Sequence, residues 1–297
     1  MRSRDVSEPI ELDIKDLDIR RMIKALGRGE FVLYYQPQVS IETGEVAGAE
    51  ALIRWQHPSL GLLVAASFLP ALQDLRFALR VGEWACWRAR QDIESWRRAG
   101  LKTVPIAVNI HPEHLSLPQF APMFLTTSKG MLDIEIVELP GREEQIVPAL
   151  EELRAAGVRI ALDDFGIGYS SFGRLAELPV DILKVDKSFI CALTRPRVPA
   201  QLMRVRRILS TLVSLSHLCQ FTTIAEGVET PAALEAVREI GFDQSQGYLH
   251  SPAVSADAFR RFLRPSLAGR GGAARGAPCA AKVDRCGASD KPTGAHP

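Results

Sequence analysis

The sequence predicts an α/β chain folded as a (β/α)8 barrel. Three observations predict it. Short apolar runs alternate with amphipathic stretches over about 240 residues, the pattern of a parallel sheet covered by helices. Eight runs qualify as strands, and eight strands in this length favour a closed barrel over an open doubly wound sheet. No Gly-x-Gly-x-x-Gly follows the first run, which argues against a dinucleotide-binding sheet.

The elements follow in order. Phe31–Tyr35 (FVLYY) is aromatic and β-branched and reads as the first strand. A turn signal at Thr43–Gly44 precedes the second, within Glu45–Trp55. Val104–Ile110, Leu132–Val137, Val158–Leu162, Val180–Val185 and Phe221–Ala225 are continuous apolar runs, as strands buried on both faces require. Gln246–Leu249 is a weaker eighth. Between them, Leu75 to Trp96 repeats apolar residues every three or four positions. Ile146, Leu150, Leu153 and Ala156 do the same, with Pro148 blurring the start and Gly157 as the stop. Leu202, Val205, Ile208, Leu209, Leu212, Val213 and Leu215 form another stripe, Ala232–Ile240 ends at Gly241, and Ala256–Leu263 closes the body. These stripes are read as core faces.

Composition bounds the rest. The chain has 297 residues, 46% hydrophobic and 24% charged, which excludes a mostly disordered polypeptide. Its net charge of +1 gives no global field for DNA or RNA. No apolar run reaches the roughly 18 residues of a membrane span, and residues 1–15 lack the apolar stretch of a signal peptide. Five scattered cysteines do not form a disulfide framework, so a reducing, cytoplasmic setting is expected. Residues 1–16 read as a polar arm and 17–265 as the barrel. Residues 266–297, rich in Gly, Ala and Pro, read as a disordered tail.

The polar groups lie where the strands end. Glu50 sits in the second strand region, Asn109 ends VPIAVN, and Glu135 and Glu138 lie near the end of LDIEIVE. Asp163 and Asp164 end VRIALDD, Lys184 lies near the end of VDILK, and Glu226 ends FTTIAE. Each alone is explained by solvation or by capping of the next turn. Together they would converge on one mouth of a barrel. Carboxylates crowded there would repel one another unless a cation held them ionised. The donors are oxygens without a His or Cys cluster, which favours Mg²⁺ or Mn²⁺ over zinc. The Asp163–Ser171 segment (DDFGIGYSS) carries two glycines and two serines, and such a loop can gate a site.

The same residues carry a family resemblance. The chain contains YYQPQ (Tyr34–Gln38), GAEALIRW with Glu50–Leu52 reading EAL, and the VN pair ending at Asn109. It also contains EIVE (Glu135–Glu138), DDFGIGYSS, LKVD (Leu183–Asp186), AEGVET (Ala225–Thr230) and QGY (Gln246–Tyr248). In this order the set closely resembles the EAL-domain family, cyclic di-GMP phosphodiesterases with a modified, TIM-like (β/α)8 barrel, over about Leu17 to Leu263. The resemblance implies a first metal ion on Glu50, Asn109, Glu135 and Asp163. A second would lie on Asp163, Asp164 and Glu226. It implies that Lys184 polarises the attacking water and that Glu138 supports the DDFGIGYSS loop. Gln36, Glu50, Leu52, Arg54, Asp186 and Gln246 would contact the substrate, Arg54 through a phosphate. Lys184 or Glu226 would assist proton removal, and the sequence leaves the choice open. The implied product is linear pGpG, with two Mg²⁺ or Mn²⁺ ions required and Ca²⁺ inhibitory.

Four positions depart from the family pattern. Ile167 stands where Thr is common, Gln73 where an acidic residue usually follows the FIP-type segment, His111 where Ser is common, and Ala233 where Gln is common. None is an implied metal ligand, and Ile167 bears on loop dynamics and dimer coupling. The alternative to an active phosphodiesterase is a degenerate member that binds cyclic di-GMP or a protein without hydrolysis. A homodimer is compatible with the sequence.

Overall fold

Strand β1 (Phe31–Ser40) and strand β2 (Val46–His57) form a hairpin that starts and closes the sheet. The computed structural model describes residues 18–137, 143–166, 178–194 and 198–264. The expected arm, the tail, Glu138 and Ile167 lie outside the described residues. After the hairpin come β3 (Gly61–Val64), β4 (Ile106–Asn109), β5 (Leu132–Val137), β6 (Ile160–Phe165), β7 (Ile182–Val185), β8 (Thr222–Ala225), β9 (Gln244–Gln246) and β10 (Val254–Ser255).

Eight of these strands close into a barrel. The order runs β1, β9, β8, β7, β6, β5, β4, β2, and β2 pairs back onto β1. β3 and β10 add at the margin, on β2 and β1. Every pairing from β2 through β4 to β9 is parallel, and parallel neighbours need a crossover connection rather than a tight turn. β1 runs antiparallel to both neighbours. The uniform parallel sheet expected from the alternation is therefore corrected at one strand. The physical reason is the Thr43–Gly44 turn, which is too short for a crossover and reverses the chain instead.

Other expectations shift by a few residues. The eighth barrel strand is Gln244–Gln246, not Gln246–Leu249, and β1 extends five residues beyond Tyr35. The long stripe becomes the helix Leu75–Arg98, with Asp74 accepting from the backbone of Arg76 and Phe77 at its start. The helix Glu143–Ala155 accommodates Pro148. On the helix Pro199–Leu218, Leu209, Leu212 and Val213 are buried, but Ile208 and Leu215 face outward, against the expectation of a core stripe. Only Ala256–Phe259 of the closing segment is helical.

The core lies between barrel and helices. Tyr35, Trp96 and Phe259 pack ring against ring, with 5.0 Å between the Tyr35 and Trp96 centroids. Fully burying a large apolar side chain contributes roughly 1.5–3 kcal/mol. A second cluster of Met22, Phe31, Trp55, Phe68 and Phe77 packs at the Phe31–Trp55 end of the hairpin.

At the opposite rim, carboxylates pin the strand starts. Asp133 accepts from the Arg159 amide, Asp181 from the Ile160 amide and Asp243 from the Thr223 amide. Acidic residues at that rim are thus committed to backbone hydrogen bonds. Glu50, Glu135 and Glu226, on the other side of the sheet's length, bond to side chains instead, and they make the site.

Candidate active site

Lys184, in the middle of β7, has no solvent exposure and points into a ring of carboxylates. Its ammonium bonds Glu135 Oε1 and lies 2.9 Å from Asp163 Oδ1, 2.9 Å from Glu226 Oε1 and 3.4 Å from Glu50 Oε2. Each partner comes from a different strand or strand end: Glu50 from β2, Glu135 from β5, Asp163 from β6, and Glu226 from the residue after β8. The inward pleat of parallel strands aims all of them at one mouth.

Asp163 and Asp164 are consecutive, so strict alternation would send them to opposite faces. Asp164 instead adopts a left-handed backbone, φ 54°, where the β6–β7 register shifts. Asp tolerates that conformation better than most residues. The result brings a carboxylate oxygen each from Asp163, Asp164 and Glu226 within 4.8 Å of one another.

Burial and crowding shape the protonation states. Burial, then the Glu50 charge, holds the Glu135 carboxyl well above its usual range. Burial and the nearby Asp163 and Glu50 charges push Glu226 up to about 7 against the opposing pull of Lys184. Burial, with Asp163 and Asp186 beside it, also raises Asp164. Burial works against ionisation of Asp163, but the adjacent Lys184 outweighs it and lowers that carboxyl. Burial alone would strip the Lys184 ammonium, yet the surrounding carboxylates, Glu135 foremost, hold it well above its ordinary value.

Glu50 is held from both sides. Its Oε1 accepts from Asn109 Nδ2 at 3.0 Å, and its Oε2 from Gln246 Nε2 at 2.6 Å. Gln36 accepts from the same Gln246 amide at 3.2 Å and donates to the Ser251 carbonyl at 3.3 Å. The structure thus gathers Gln36, Glu50, Asn109, Glu135, Asp163, Asp164, Lys184, Glu226 and Gln246. Arg54 stands beside them, its guanidinium 5.7 Å over the Tyr34 ring and bonded to the Ile53 carbonyl. Leu52, with Val81, Gly82, Ile110 and His111, lines a cavity of about 340 Å³ that Glu50, Asn109 and Glu135 border. Asp186 is buried, and one of its oxygens accepts from Ser188 N at 2.7 Å at the start of the helix Lys187–Thr194. His111 does the capping expected of a serine, its ring accepting from the Glu113 amide.

The site also contains a residue that the strand-end pattern does not single out. Gln38 is buried and donates to Gln246 Oε1 at 3.1 Å. Its signal is the second Gln of YYQPQ, two residues along the same strand face from Gln36.

The donor set fits a hard divalent cation. Four carboxylates surround one ammonium, and an ammonium has only three protons to share. Among the described residues, Glu135 Oε2 and Asp163 Oδ1 are buried without a hydrogen-bond partner, although Asp163 Oδ1 remains ion-paired with Lys184. Asn109 turns its nitrogen to Glu50, which directs its carbonyl oxygen, a usable ligand atom, elsewhere. Glu50, Asn109, Glu135, Asp163, Asp164 and Glu226 could together hold such ions.

Known proteins share this architecture. The family model described as "EAL domain" matches residues 19–253. The cyclic di-GMP phosphodiesterase NbdA of Pseudomonas aeruginosa is 34% identical over 249 residues, covering 81% of this chain but 31% of that protein. The chain therefore spans about a third of that relative's length. An uncharacterized Mycobacterium bovis protein is 34% identical over 80% of this chain and 79% of its own. Among solved structures, the MucR phosphodiesterase in complex with c-di-GMP superposes with a TM-score of 0.73 at 31% identity, covering 82% of this chain and all of that one. The EAL domain of Mycobacterium smegmatis DcpA gives 0.63 at 29% identity, over 79% and 96%. With the family model spanning nearly the whole barrel, this chain belongs to the EAL domain family.

Proposed function

We propose that this chain is a metal-dependent phosphodiesterase that hydrolyses cyclic di-GMP to linear pGpG. The observation that carries the reading is the carboxylate ring around Lys184, whose members come from β2, β5, β6 and the end of β8. Family membership and the names of the NbdA and MucR relatives support the substrate.

In this reading Glu50, Asn109, Glu135 and Asp163 hold one divalent cation, and Asp163, Asp164 and Glu226 hold a second. The chemistry that Mg²⁺ or Mn²⁺ supplies there is Lewis-acid neutralisation of phosphate charge and a more acidic water. The chain's own residues do the rest. Arg54 pairs with a phosphate, and Gln36 and Gln246 orient the nucleotide beside Glu50. Leu52 and the apolar cavity wall accept a base. Lys184 keeps its proton and acts as the donor that orients water and steadies negative charge, while Glu226 is the better placed proton acceptor. Water oxygen bonds to phosphorus, the P–O3′ bond breaks, and the released 3′ oxygen takes up a proton. Asp186 borders the site from its helix cap, and the role that the resemblance implies for Glu138 falls on a residue outside the described ones.

The domain reading is a polar arm over 1–16, the barrel over 17–265 and a tail over 266–297, in a cytoplasmic protein. Among the described residues no helix is long and apolar enough to cross a membrane.

The test is hydrolysis in H₂¹⁸O with Mg²⁺ or Mn²⁺. The expected product is pGpG carrying one ¹⁸O in its 5′-phosphoryl group. Binding of cyclic di-GMP without any linear product would replace this reading with that of a nucleotide receptor.

A further inference from the structure

We propose that Gln38 is a positioning residue: it fixes which way the Gln246 amide faces and so keeps a proton donor against Glu50. Gln38 touches neither the carboxylate ring nor the expected place of the nucleotide, so it acts only through Gln246.

The argument starts at Glu50. An ionised carboxylate accepts hydrogen bonds and cannot donate them, so the amide group 2.6 Å from Glu50 Oε2 must be the NH₂ of Gln246. Its second proton is used as well, on Gln36 Oε1 at 3.2 Å. Gln246 Oε1 then needs a donor on its far side, and Gln38 Nε2 supplies it at 3.1 Å. Gln36 in turn donates to the Ser251 carbonyl. One polarity therefore runs from Gln38 through Gln246 to both Glu50 and Gln36. A half-turn of the Gln246 amide would set its oxygen against Glu50 Oε2 and Gln36 Oε1 together. Gln38, Gln246 and Glu50 are each 6% exposed or less, so water is a poor substitute partner.

The sheet builds this chain by register. Gly48 of β2, Gln38 of β1 and Gln246 of β9 lie side by side in one cross-strand row, because β1 is antiparallel to both neighbours. Gln36 and Glu50 form the next inward-facing pair along the same strands. Gly48 leaves the space that the Gln38 amide fills: a Cβ there would stand 2.7 Å from Gln38 Oε1. The amide is thus wedged between backbone on one side and Gln246 on the other. The consequence for a cation or a phosphodiester at Glu50 rests on the function proposed above, whereas the amide chain does not.

The experiment is a double-mutant cycle with Gln38→Met and Gln246→Met, which keep side-chain length and remove the polar ends. Mn²⁺ affinity is read by calorimetry, KM and kcat with cyclic di-GMP, and unfolding by denaturant. Gln38→Met is expected to weaken Mn²⁺ binding and lower kcat/KM about tenfold, the scale of outer-sphere partners of metal ligands. Gln246→Met is expected to give at least that loss, and the double variant no more than Gln246→Met alone. Gly48→Ala, which only pushes on Gln38, is expected to weaken Mn²⁺ binding in the same direction. Losses that multiply, or a Gln38→Met protein within twofold of wild type in both readouts, would overturn the proposal. A wild-type protein without turnover defeats the phosphodiesterase reading instead, and the cycle is then decided on unfolding, where additive effects of Gln38→Met and Gln246→Met reject the amide lock.

Discussion

Lys184 Nζ stands 2.9 Å from Glu226 Oε1, so the ammonium and the carboxylate best suited to handle the proton of the reaction touch each other. Their contact separates their roles. A buried ammonium ringed by acids keeps its proton, and a buried acid crowded by other acids gains proton affinity. Replacing Lys184 with Met therefore removes the cation that steadies the ring rather than a base. Loss of turnover is expected, with a weakened fold when no divalent ion is present. A Lys184→Met protein that kept wild-type turnover would contradict this division of labour.

The ligand assignment predicts that Glu50→Ala and Asp163→Asn each lower kcat by more than the roughly 10–100-fold typical of outer-sphere changes. Circular dichroism should show the fold intact, because both side chains sit at the barrel mouth and not in its apolar core. Either variant with activity near wild type would remove that residue from the cation site.

Proton linkage gives a signed prediction for the metal-free protein. Glu226 has a folded value of about 7 against 4.5 unfolded, so its contribution is complete below about pH 4.5 and is lost as pH rises through 7. Glu135 and Asp164 shift in the same direction. The lowered Asp163 and the raised Lys184 titrate outside this window. In the presence of a chelator, the melting temperature should fall between pH 5 and pH 8, with Glu226 contributing on the order of 3 kcal/mol at most. Mg²⁺ or Mn²⁺ should raise it more at pH 8 than at pH 6, because binding then displaces fewer protons. Melting temperatures that climb steadily to pH 8 without metal would show that these carboxyls are not crowded.

Gly82 faces the ring of His114, whose nitrogens lie 2.9 Å and 3.0 Å from the carbonyls of His111 and Leu79. Alanine in a helix interior ordinarily gains up to about 1 kcal/mol over glycine. Here a Cβ would come 2.5 Å from a ring that is 1% exposed. The clash decides the sign, and Gly82→Ala should destabilise by about 1–3 kcal/mol in denaturant unfolding. A stabilised Gly82→Ala protein would show that the ring moves aside.

Much of the site was legible in the sequence because parallel strands deliver their carboxyl ends to one mouth. Asn109, Glu135, Lys184 and Glu226 needed only that rule, whereas Glu50, inside β2, was marked by the EAL motif it opens. The convergence of Asp163 with Asp164 was not legible, since alternation separates neighbours and only the left-handed turn at Asp164 unites them. The antiparallel course of β1 was hidden by its apolar composition, which reads alike in either direction. Ile208 and Leu215 share the spacing of the core residues Leu209 and Leu212, yet they lie on the outer side of their helix. Gln38 was invisible as a functional residue because its role depends on which strand lies beside it.

The central claim is tested most directly by incubating the metal-free protein with cyclic di-GMP and adding back one cation at a time, with pGpG quantified by chromatography. The account predicts turnover restored by Mg²⁺ or Mn²⁺ and suppressed when Ca²⁺, with its larger and looser coordination, replaces them. Equal turnover in the presence of a chelator, or none with either Mg²⁺ or Mn²⁺, would contradict it.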